Sequence, residues 1–189
     1  MLAAVKSVRT IRSFPTASFE ESLEIAEAIQ KHASGGKIRR LTLFESIRKS
    51  PDSGPSRMLV TNSSKYGLTV GGSHADYLEL TPKGRIATDP EASPRDRMRA
   101  RFDLAIAGIP QFKELYEGLA GKKLPAAAVI HDHLREIKVA EADLAKCADA
   151  FVNAKFLGLL RTVAGAERLL PIEHILKRRR AGLASIQRS

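Results

Sequence analysis

Cysteine is almost missing from this chain: Cys147 is the only one in 189 residues. That excludes a disulfide framework and a Cys-based zinc site, and it suits a reducing compartment. Tryptophan is absent and aromatic residues make up only 5% of the sequence, so its cores must be aliphatic. Long apolar runs are lacking too. None approaches the roughly 20 residues that a membrane helix needs, and Met1 to Val5 is too short for a secretory h-region. The expectation is a soluble, cytoplasmic protein with no membrane partner.

Catalytic signatures are equally scarce. There is no G-x-S-x-G turn, Walker loop or dinucleotide fingerprint. His131 and His133 flank Asp132, but residues two apart on a helix point about 200° apart and do not chelate one ion. Cys147 falls on the apolar stripe of its helix, where a free thiol is an inert core group. No enzyme activity, cofactor or metal is expected.

Acidic residues are in short supply, with 21 Asp plus Glu against 31 Lys plus Arg and a net charge of +10. The excess is unevenly spread. Residues 1–101 hold 17 basic and 11 acidic side chains, residues 102–176 hold 9 and 10, and residues 177–189 add five more cations. A polyanion is therefore drawn to the first half and the tail.

The patterning is helical for most of the length, with a few short alternating stretches. Residues 1–15 form a basic arm with Lys6, Arg9 and Arg12. Ser18 and Glu21 have the capping-box spacing and open a helix with Leu23, Ile25, Ala26 and Ile29 on its apolar side. Thr42 and Glu45 repeat that spacing for a second helix, placing Leu41, Phe44 and Ile47 towards the core. Ser53, with Pro55 in the first turn, starts a third. Gly67 ends it, and Leu68 to Val70 and Ala75 to Leu80 read as a hairpin around Gly71-Gly72. A polar boundary over 88–95 precedes a connecting helix from Ser93. Helices over 110–120, 125–137 and 141–157 and a hairpin over 160–171 then repeat the order. Asn62 stands five residues before Gly67-Leu68, and Asn153 stands five before Gly158-Leu159.

Ser53-Gly54-Pro55-Ser56-Arg57-Met58-Leu59-Val60, Lys65-Tyr66-Gly67-Leu68-Thr69 and Leu78-Glu79-Leu80-Thr81-Pro82-Lys83-Gly84-Arg85 resemble the winged helix-turn-helix superfamily of prokaryotic DNA-binding proteins. The expected fold is mainly α with small β-hairpins (α+β), arranged as two tandem winged-helix-like domains. Their limits are a winged helix over 16–90, a connecting helix over 91–109 and a second winged-helix-like unit over 110–172, followed by a basic tail over 173–189. The resemblance implies a DNA-binding protein, a transcriptional regulator, that contacts DNA through the third helix and the wing. The residues concerned are Arg57, Thr61, Ser64, Lys65 and, at the wing tip, His74; Arg39 and Arg40 join them through the basic field. The nearly neutral stretch 102–171 would dock a protein partner or a second copy. The alternative is an adaptor or scaffold in which both units contact proteins.

Overall fold

Ser18 and Glu21 close the capping box that their spacing predicts, each side chain accepting the other's amide at 3.1 Å. The helix they open, α1 (Phe19–Ala33), buries Phe19, Leu23, Ile25, Ala26, Ala28 and Ile29. The computed structural model describes residues 12–151 and 153–177. Lys6 and Arg9 of the basic arm, and the tail from Arg178 onward, lie outside the described residues.

After α1 come β1 (Ile38–Arg39), α2 (Arg40–Ser46), α3 (Gly54–Lys65), β2 (Thr69–Val70) and β3 (Tyr77–Leu80). The strands make an antiparallel sheet in the order β1-β3-β2, with Ile38 opposite Leu78 and Thr69 opposite Leu80. Leu78 and Leu80 point inward, so Tyr77 and Glu79 take the outer face. Two local expectations fail here. The Thr42–Glu45 capping box does not form. The sheet instead draws the Arg40 amide onto the Asp76 carbonyl at 2.9 Å, and α2 begins at Arg40 with Arg39 as an N-cap whose side chain does not bond the helix amides. Leu41 consequently faces solvent, 59% exposed, while Leu43 and Phe44 fill the core.

β3 ends at Leu80, as the alternation implies. Thr81 accepts the Gly84 amide and caps a further helix, α4 (Pro82–Thr88), that the sequence pattern alone did not predict. Ser93 then caps α5 (Pro94–Phe102), which continues into a π-helical turn at Asp103–Ala107. Three of the four α5 arginines are used internally. Arg97 donates to the Asp89 carbonyl and Arg101 to the Ala87 carbonyl, while Arg99 pairs with Glu173 at 2.8 Å.

The second half contains α6 (Pro110–Leu119), α7 (Ala127–Glu136), α8 (Leu144–Ala150), α9 (Asn153–Phe156), β4 (Leu160–Val163) and β5 (Ala166–Leu169), then a helix over 172–177. The single helix expected over 141–157 is broken into a 3-10 turn (Glu141–Asp143), α8 and α9. β4 and β5 pair with Arg161 opposite Arg168, and Lys123 bridges Arg168 from the other side of β5. The molecule is thus mainly helical with small antiparallel sheets.

Buried side chains from Phe14 to Leu176 form one continuous cluster. The seam between the halves is polar at its heart. Asn153 Oδ1 accepts the Phe19 amide at 2.6 Å, and its Nδ2 donates to the Tyr66 hydroxyl at 2.6 Å. That hydroxyl donates in turn to the Ala17 carbonyl. The Phe19 ring packs edge-on against Tyr66, 5.2 Å between centroids, and lies 6.3 Å from Phe156. Residues 12–17 strap the seam from outside. Arg12 pairs with the buried carboxylate of Asp143, Gln111 donates to Ser13, and Asn62 Oδ1 accepts the amides of Thr16 and Ala17.

Burial pushes the Cys147 thiol from 9.0 up to about 12, with the Asp143 charge adding to the effect. A raised pKa favours the folded state below the unfolded value, and that contribution disappears as pH climbs towards the folded one. Native protein is therefore expected to ignore a thiol reagent at pH 8. Its unfolding free energy should fall between pH 9 and about 12, with a smaller fall in Cys147→Ala; chemical denaturation at stepped pH measures this.

Candidate nucleic-acid interface

The twelve-residue helix α3 supplies the surface that the sequence singles out. Ser53 caps it by accepting the Ser56 amide, and Pro55 occupies the first turn, where its missing amide costs nothing. Ser56, Val60, Asn62 and Ser63 are buried, which turns Arg57, Met58 and Ser64 to solvent and leaves Thr61 half-exposed. The face is polar and shallow, with Met58 as its one large apolar group.

The cations expected on this surface divide into two groups. At the amino end of α3, Arg57 donates through Nε and Nη2 to the Asp52 carbonyl. Arg40 donates to the Pro51 carbonyl at 2.9 Å and to the Asp52 carboxylate at 3.3 Å. Its Nε is buried without a partner. Arg39, next to Arg40 in the chain, is exposed with its Nε 3.3 Å from the Tyr77 hydroxyl. Asp52 thus holds Arg40 and Arg57 together at the helix's positive end.

Lys65 belongs to the other end, roughly 12 Å further along the axis at 1.5 Å per residue. Its ammonium donates to the carbonyls of Arg12 and Phe14, at 2.9 and 3.2 Å. Burial, and secondarily the charge of Arg12, lower its pKa from the usual lysine value. Two of its three donors are directed into the strap. Thr61 bonds back to the Arg57 carbonyl of its own helix, Ser64 is exposed at the last turn, and His74 is exposed in the hairpin loop.

A feature that sequence reasoning missed lies next to the arginine group. The Tyr77 ring, 40% exposed, has Lys37 Nζ 4.6 Å and the Arg39 guanidinium carbon 5.8 Å from its centroid. A cavity of about 310 Å³ opens beside it, lined by Arg39, Arg40, Leu41, Asp76 and Tyr77. The signal was present: Lys37 and Arg39 stand two apart, so they share a face once 37–40 is read as a strand rather than a loop.

Among the described residues no cluster of His, Cys, Asp or Glu is placed to hold a metal ion, and no helix is long and apolar enough to cross a membrane. No family model matches the chain, and neither a curated protein nor a solved structure matches it.

Proposed function

We propose that the chain is a pair of winged-helix units, over 16–90 and 110–172, joined by α5, and that the first unit binds DNA with α3 and its flanking cations. The observation that carries this reading is the meeting of Arg40 and Arg57 on Asp52 at the amino end of a helix whose outer face is open, with Arg39 exposed next to Arg40 in the cavity beside Tyr77. Support for the paired units comes from the sheets. α6, the Lys123 bridge, α7, α8–α9, β4 and β5 follow the order α1, β1, α2, α3, β2 and β3, and in each sheet the last strand is central.

In this reading Arg39 and Arg57 meet phosphates, and Thr61 and Ser64 meet phosphate or base edges. Lys65 orders the strap and stands apart from the ligand. The test is a duplex titration followed by fluorescence anisotropy at several salt concentrations. Arg39→Ala with Arg57→Ala should flatten the log–log salt slope by about two, near 0.9 for each phosphate that is no longer neutralised. An unchanged slope in that double variant would sink the assignment. Lys65→Met is the contrasting variant, expected to keep the slope of the parent protein.

A further inference from the structure

Residues 102–176 are nearly neutral in sum, yet the outer face of the second sheet is not. Arg161 lies directly opposite Arg168, and Lys123 lies directly opposite Arg168 on the other side. Partners directly opposite in antiparallel strands project to the same face. Leu169 is buried, which sends Arg168 outward, and all three cations are exposed. Three like charges therefore run in a row across β4, β5 and the Lys123 edge. No hydrogen bond or ion pair joins any of their side chains to a carboxylate among the described residues. The one nearby strand carboxylate, Glu167, is opposite Thr162 and so on the alternate side.

Like charges placed opposite one another destabilise a sheet. The first sheet avoids this cost at the same place. Val70 pairs with Glu79, and extending the Ile38–Leu78 register by one residue sets Lys37 across from Glu79. The corresponding rows are Lys37, Glu79, Val70 in the first sheet and Lys123, Arg168, Arg161 in the second. A balanced row has become wholly cationic, at the same depth of the same kind of sheet.

We propose that Lys123, Arg168 and Arg161 form a second contact surface for the phosphate backbone of a nucleic acid, a proposal that rests on the DNA-binding reading above. Strands stand about 4.8 Å apart, so the row spans about 10 Å. A DNA strand presents one phosphate per 3.4 Å of helix axis, spaced more widely along its winding backbone, so about two meet a row of that length. Two of the three cations are guanidiniums, whose planar forks match phosphate oxygens in pairs. An anion laid along the row removes the repulsion that the folded chain carries alone.

The experiment uses the full chain, the same labelled duplex and the same salt series. Arg161→Ser with Arg168→Ser should flatten the log–log slope by about two. Arg168→Glu, which recreates the charge order of the first sheet, should lower affinity further while raising the melting temperature of the free protein. That rise shows that the fold is intact and that the weaker binding belongs to the surface. If the slope is unchanged while Arg39→Ala with Arg57→Ala flattens it, the second surface is overturned and the first stands. If the parent protein binds no duplex, both fail. A poly-glutamate peptide that binds the parent but not Arg168→Glu, with the DNA slope unchanged, also overturns the proposal and assigns the row to an acidic protein.

Discussion

Replacing Asn153 by leucine should cost about 3 kcal/mol, because the Phe19 amide and the Tyr66 hydroxyl each lose a partner in a region that water does not reach. Leucine keeps the branched outline of asparagine but sets bulkier methyls where two 2.6 Å hydrogen bonds stood, so some overpacking adds to the lost hydrogen bonding. For a chain of this size the melting temperature is expected to drop by roughly 6–12 °C. Tyr66→Phe removes the hydroxyl and leaves Asn153 Nδ2 and the Ala17 carbonyl to find substitutes. Its cost should be about half as large, since the Phe19 amide keeps its acceptor. The double variant should fall short of the sum, because the two side chains serve one network. Thermal denaturation of the three proteins checks all of this, and additive losses would show that the network is not a unit.

Gly84→Ala should also be damaging, against the ordinary expectation for a glycine in a helix. In an exposed helix the change gains about 1 kcal/mol. Here an added Cβ would run into the Leu68 carbonyl oxygen and lie 3.0 Å from the Thr81 hydroxyl. Neither can give way cheaply. The Leu68 carbonyl accepts the Thr81 amide at 3.0 Å, and the Thr81 hydroxyl is committed to the Gly67 carbonyl at 2.6 Å. Overpacking of this kind costs about 1–3 kcal/mol or more, so the clash wins and the net effect is a loss of about 2 kcal/mol. Gly118→Ala is the counterpart in α6, where the nearest atom to the new methyl is His133 at 3.7 Å. That variant should be neutral or stabilising, and urea titrations of the pair give the comparison.

Much of this was legible because its causes are local. The caps at Ser18, Ser53 and Ser93 form as their spacing implies, since a serine hydroxyl needs only the amide three residues on. The Thr42–Glu45 box had the same local warrant and lost to a longer-range force, the pairing of β1 with β3 that starts α2 at Arg40. α4 was readable from Thr81-Pro82, the same signature as Ser93-Pro94. The reason for Gly84 in that helix is the Leu68 carbonyl, which a sequence does not display. The shared position of Asn62 and Asn153 was visible as a motif; its use was not. Asn62 holds the strap and Asn153 holds α1, and both partners are remote along the chain.

The candidate site was harder to read than the fold. Helical periodicity sorted the faces of α3 correctly at Arg57, Ser64, Val60 and Ser63. It could not tell which exposed cations would find partners inside the molecule. Lys65 falls on the outer face by angle, yet it reaches the Arg12 and Phe14 carbonyls. The α5 arginines, four in seven residues, look like a nucleic-acid surface until Arg97 and Arg101 are seen bonding the carbonyls around α4. Summed charge misled in the opposite direction for the second half, where near-neutrality hides a row in which every charge is positive.

The bonds across the seam also set an order of assembly during synthesis. Arg12 waits for Asp143 and the Phe19 amide waits for Asn153, separations of 131 and 134 residues. At 5–20 residues per second, the ribosome needs roughly 7–27 s to supply that asparagine after it has made the helix start. Throughout that interval the nascent first half carries Phe19 and Tyr66 without their cover. The half of the protein that is made first is therefore completed only when most of the second has been made.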